Sequence, residues 1–209
     1  MTYYYLKPKF KIYPDELKDI LLALGVLTLS FWILMSRRIF FNGNYGVLFL
    51  TLITAFLSVL IAFFLHEMAH KYVAIKYGYP AAFKAWKMGL LIAFFSSFIG
   101  FLFAAPGAVY IYGFPSVKEN GKISAAGPTT NLIAGFSLLA GALLIQNSLI
   151  VQILLQIAYL NFFLAFFNLL PIGPMDGLKI LRWNLPIYAF LFVLSIAGIG
   201  FFYLPFFIH

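Results

Sequence analysis

The chain alternates long hydrophobic runs with short polar breaks, and the runs set its elements. Residues 1–17 are mixed: Tyr3, Tyr4 and Tyr5 precede Lys7, Lys9 and Lys11, a combination that favours the headgroup level of a bilayer. Pro14 followed by Asp15, Glu16 and Asp19 reads as a helix start with acids near the positive end of the dipole. Ile20 to Met35 is apolar, stops at Arg37-Arg38 and is long enough, with its flanking turn, to span. Asn42-Gly43-Asn44 marks a turn. A second run from Tyr45 to Leu65 carries no charge and continues helically to about Tyr77.

The stretch from Gly89 to Phe114 is long enough for a span, but Pro106-Gly107 and the β-rich Val109-Tyr110-Ile111-Tyr112 argue against a plain helix. A polar loop follows at Lys118, Glu119, Asn120, Gly121 and Lys122. Ser124 to Ile145 is a third helix and Leu149 to Leu170 a fourth, joined at Gln146-Asn147-Ser148. Pro171, Gly173 and Pro174 break the chain before Asp176-Gly177, and Ile187 to Ile208 is a last span. The expected fold is an all-α polytopic membrane protein of about five transmembrane helices. A re-entrant, partly β segment lies between the second and third. It is one domain over residues 1–209 with its core at 45–182, preceded by an interfacial segment and first helix (1–44) and closed by a C-terminal helix (183–209).

Composition agrees: 64% of residues are hydrophobic and 10% charged, where a soluble domain carries about a quarter charged. No cleaved signal peptide is indicated. The net charge of +8 does not point to nucleic acid, because the lysines and arginines sit at the ends of apolar runs, as topology signals do. With no cysteine, any metal must be held by histidine and carboxylate.

Candidate chemistry is concentrated in His66-Glu67-Met68-Ala69-His70. Residues four apart share one helix face, so His66 and His70 can offer two imidazoles to one zinc ion. Glu67 can accept a proton from metal-activated water, as the catalytic base. Ionisable groups near mid-membrane cost about 3 kcal/mol each on insertion scales, which disfavours an idle cluster. Catalytic zinc usually takes three protein ligands, and elimination leaves Asp176 as the third. Asn168 is a candidate hydrogen-bond donor to an oxyanion or to substrate, Asn131 either that or an interhelical hydrogen bond. Val109 and Tyr110 lie in a candidate edge strand that an unwound substrate could extend.

Topology constrains the site further. With the N-terminus cytoplasmic, the second helix returns to the cytoplasm at His70, and Lys71 to Lys87 obey the positive-inside rule. Asp176 reaches the same side only if Gly89–Phe114 dips in and returns, which is why that stretch is read as re-entrant.

His66-Glu67-Met68-Ala69-His70, followed two helices later by Asn168-x-x-Pro171-x-x-Pro174-x-Asp176-Gly177, resembles the site-2 protease family of intramembrane zinc metalloproteases. Gly127-Pro128-Thr129-Thr130-Asn131 and Ala105-Pro106-Gly107-Ala108-Val109 resemble further elements of that family, the latter its membrane-embedded β region. The resemblance implies one zinc per chain on His66, His70 and Asp176, Glu67 as base, and transmembrane helices of substrate proteins as partners. It would be a minimal member, with no room for a PDZ module and no C-terminal regulatory domain, in the cell membrane with its active site opening to the cytoplasm. The competing readings are an ion or metal transporter and a metal-binding membrane scaffold.

Overall fold

The computed structural model describes residues 8–37, 39, 45–102 and 105–203. Tyr3–Tyr5 and Lys7 of the expected interfacial segment, the 42–44 turn and the end of the last span at 208 lie outside them. Helix α1 (Pro14–Ser36) opens with proline in its first turn and Asp15 and Glu16 beside it. Helices α2 (Tyr45–Val59) and α3 (Leu65–Lys76) form one continuous rod, joined by a π-helical turn at Leu60–Phe64. This rod, α1, α5 (Val117–Leu144) and α6 (Ser148–Asn168) are four helices long and apolar enough to cross a bilayer. The chain is a multi-pass membrane protein.

Exposure fits that solvent. Tyr45, Ile99 and Leu144 are each at least 80% exposed, an arrangement water would penalise and lipid favours.

Between α3 and α5 the chain forms strand β1 (Ala81–Ala85), helix α4 (Lys87–Ile99) and strand β2 (Gly107–Ile111). The strands pair antiparallel, Ala81 opposite Ile111 and Ala85 opposite Gly107. The chain that leaves the pair at Ala85 therefore comes back to it at Gly107. At ~1.5 Å per residue the 13-residue α4 is ~20 Å long, well short of a ~30 Å hydrocarbon core. Strand β2 falls on the β-rich stretch the sequence picks out, whereas β1, built of three alanines, a phenylalanine and a lysine, has no such signal.

Helix α5 begins seven residues before the expected Ser124, and this is a correction. Lys118 to Lys122 are its first turns, not a loop. The Ser116 side chain accepts from Glu119 N–H and the Glu119 carboxylate accepts from Ser116 N–H, a reciprocal cap that satisfies the helix start. Pro128 lies inside the helix, which runs through it.

Helix α7 (Asp176–Trp183) starts at Asp176, and α8 (Leu185–Phe201) is apolar and 17 residues long. One core joins α5, α6, α7 and α8 around Leu132, Phe162, Leu169 and Ile180. A second joins α1, the rod, the β1–β2 hairpin and α4 around Ile20, Val59, Phe83 and Leu90. Helix α3 packs on α5, and α5 on α7, so the seam between the two cores brings α3, α5 and α7 together.

Candidate metal centre

Helical spacing puts His66 and His70 one turn apart on α3, both facing α5 and α7. Their Nε2 atoms are 2.9 Å apart. Asp176 Oδ2, at the first residue of α7, is 3.4 Å from His66 Nε2 and 3.1 Å from His70 Nε2. All three residues are at least 90% buried. The second oxygen of Asp176 faces Lys179 Nζ at 3.7 Å, one turn along α7.

The far side of each imidazole is tied down. His70 Nδ1 donates to the Ile123 carbonyl at 2.8 Å, and His66 Nδ1 donates to Asn131 Oδ1 at 2.5 Å. The Asn131 amide nitrogen donates to the Ala62 carbonyl, in the π-helical turn, and to Asn161 Oδ1 on α6. Asn161 in turn donates to Ile157 O, closing a fully buried chain across three helices.

This network decides whether the site fits a metal. With both Nδ1 atoms committed as donors, both Nε2 atoms of neutral imidazoles present lone pairs, and they face each other and a carboxylate oxygen. Three acceptors at this range need a cation between them. Two imidazoles and one carboxylate are a zinc donor set, and tetrahedral ligands ~2.1 Å from zinc lie ~3.4 Å apart, close to the spacing seen. Gly127 makes the space: a Cβ there would fall 2.4 Å from His70 Nε2 and 2.5 Å from His66 Nε2. The residues fit zinc.

Glu67 is buried beside the cluster, and its Oε2 accepts from the Val109 backbone N–H of β2 at 3.1 Å. The other residues singled out from the sequence are placed differently. Tyr110 is 56% exposed, its ring under Lys84 Nζ. Asn168 turns back to the Leu164 carbonyl of its own helix. Asn131 has both ends of its amide engaged, which makes it a holder of His66 rather than a free donor.

Comparison with known proteins bears on the chain as a whole. The chain is 40% identical over 167 residues to the "Putative zinc metalloprotease MJ0611" of Methanocaldococcus jannaschii, covering 78% of this chain and 86% of that protein. It belongs to that zinc metalloprotease family. A second relative, the "Putative zinc metalloprotease YwhC" of Bacillus subtilis, is 31% identical over 153 residues, 62% of this chain and 68% of its own. No family profile and no solved structure matches the chain.

Within this metalloprotease, sequence reading missed Asn161 and the Ile123 carbonyl. Asn161 had a signal: it is one of four amide side chains in an otherwise apolar α6. A backbone carbonyl has none. Asn131→Ala is expected to weaken zinc affinity about 10–100-fold, the usual cost of losing a partner that orients a ligand. Titration against a competing chelator measures it.

Proposed function

We propose that the chain is an intramembrane zinc protease of the site-2 type, hydrolysing a peptide bond within a transmembrane segment of a substrate protein. The observation that carries this reading is position. His66, Glu67 and His70 sit inside the apolar rod Tyr45–Lys76, and His70 lies ~9 Å along the helix from Lys76. If Lys76 marks the headgroup level, the chemistry is below the membrane surface.

His66, His70 and Asp176 would hold one zinc ion. Bound there, zinc supplies Lewis acidity, polarising a scissile carbonyl and making water acidic enough to lose a proton near neutral pH. Glu67 takes the proton from the attacking water and hands it to the leaving amine. The Val109 N–H keeps that carboxylate aimed. Asn131 and the Ile123 carbonyl fix both imidazole rings.

Substrate would bind as an extended segment. Val109 N–H points out of the sheet toward Glu67, so the outer edge of β2 faces the site. The described sheet has two strands, and an unwound substrate would add a third along that edge. The segment from β1 to β2 would be re-entrant, since it leaves and rejoins the hairpin at one level. Lys76, Lys84, Lys87, Lys118, Lys122, Lys179 and Arg182 then share one end of the bundle, supporting a cytoplasmic opening and N-terminus. Helix α8 would be the fifth span.

The test is cleavage of transmembrane substrates by the purified chain in liposomes. Cutting inside the spanning segment, stopped by a chelator and restored by zinc, is the expected result. Zinc flux across the liposome without any cleavage would replace this reading with transport.

A further inference from the structure

The three acids at the start of α1 read, from the sequence, as partners of the helix dipole. The structure gives each of them another partner: Asp15 meets the exposed Lys18 Nζ one turn along α1, at 2.9 Å, while the other two reach across the fold. Glu16 is 96% buried, and Lys71, the residue after His70, is fully buried against it. Lys71 Nζ reaches both Glu16 oxygens, at 2.6 and 2.5 Å, and the Lys11 carbonyl at 2.7 Å, which uses its three protons. Glu16 Oε1 also accepts from the Phe83 N–H of β1 at 3.0 Å, and Asp19 Oδ2 accepts from Ala85 N–H at 3.3 Å.

The register explains what these contacts do. Phe83 pairs with Val109 and Ala85 with Gly107. In an antiparallel pair, alternate residues turn their N–H groups away from the partner strand. Phe83 and Ala85 send theirs to the carboxylates of α1, and Val109 sends its own to Glu67. One outer edge of the hairpin is thus occupied by α1, and the other faces the catalytic side. The path from Lys71 through Glu16, Phe83 and Val109 returns to Glu67, four residues before Lys71 on α3.

A buried ion pair adds little net stability over apolar packing of the same volume, but it is directional. Leucines could hold α1, α3 and β1 together; they would not fix the hairpin along its own length. That length is what matters to a protease binding by strand addition, because a slip of one residue moves the substrate ~3.4 Å and reverses its side chains.

We propose that Glu16, Lys71 and Asp19 are positioning residues that lock the hairpin to α3, and so set which peptide bond of an extended substrate meets Glu67. The α1 carboxylates also close the β1 edge, leaving the β2 edge for substrate. This inference rests on the proteolytic reading above.

The experiment compares wild type, Glu16→Gln/Lys71→Met and Asp19→Ala on one transmembrane substrate. The double variant removes both charges together, stranding neither, and keeps an acceptor for Phe83 N–H. The readouts are the cut position by mass spectrometry, KM and kcat, zinc per chain, and hydrogen exchange of the hairpin amides. The expected result is unchanged zinc, faster exchange at Phe83, Ala85 and Val109, and a several-fold higher KM. The cut, single in the wild type, should spread to neighbouring bonds. A folded, zinc-loaded double variant that cuts the same single bond overturns the proposal. So does loss of zinc together with activity, which would make the pair a prop of the fold. Should the double variant not fold, the cut pattern of Asp19→Ala, which leaves Ala85 N–H without its acceptor, decides in the same way. A wild type that cuts nothing removes the proteolytic reading itself, and this inference with it.

Discussion

Glu67→Gln leaves zinc bound and removes cleavage: that is the expected result, and it separates the base from the ligands. The carbonyl oxygen of a glutamine can still accept the Val109 N–H, so the side chain keeps its place against β2. Neither His66, His70 nor Asp176 is touched, and the network through Asn131 and Ile123 is unchanged. What is lost is the ability to take a proton. A positioned general base contributes about 10²–10⁴-fold, so the variant should fall by at least the lower figure. Zinc content by elemental analysis and cleavage on one sample check both halves. Residual activity within tenfold of wild type would mean that another group takes the proton. A transporter would keep its flux, because glutamine leaves the metal donors in place.

The parts of this chain that were legible in the sequence are those whose signal is local. An uncharged run from Tyr45 to Leu65 can hardly be anything but a membrane helix, and the four-residue spacing of His66 and His70 fixes their common face. The first turns of α5 escaped because hydropathy registers Lys118, Glu119 and Lys122 only as polar, while the helix rests on the Ser116–Glu119 cap. That pattern was present in the sequence and outweighed by the charges around it. Strand β1 escaped for a different reason. Its edge is completed by Glu16 and Asp19, more than sixty residues away in the chain, so nothing in Ala81–Ala85 announces a strand. Glu16 shows the same limit from the other side. Beside Pro14 a local reading makes it a dipole partner, and only folding brings Lys71 to it. For Asn131 the residue was visible and its task was not, since that depends on which face of α5 meets α3.

Asp176→Asn is expected to empty the site. Asp176 brings the only negative charge among the three converging donors, and its Oδ2 lies within 3.4 Å of both Nε2 atoms. Asparagine keeps the size and the helix start at α7 but offers a neutral oxygen, or turns an N–H₂ toward two lone pairs. A cation held by two neutral imidazoles and an amide loses both the Coulomb term and a good oxygen ligand, in a setting where water cannot easily make up the difference. The loss should exceed the ~10–100-fold expected for Asn131→Ala, which only loosens one ring. The two variants are told apart by zinc titration. Activity of Asn131→Ala should return as zinc is raised, because the three donors remain, whereas Asp176→Asn should stay inactive across the same range. Wild-type zinc affinity in Asp176→Asn would move the third ligand elsewhere. The nearest remaining carboxylate is Glu67, already held by Val109, and a Glu67 that binds metal cannot also be the free base on which the first prediction depends.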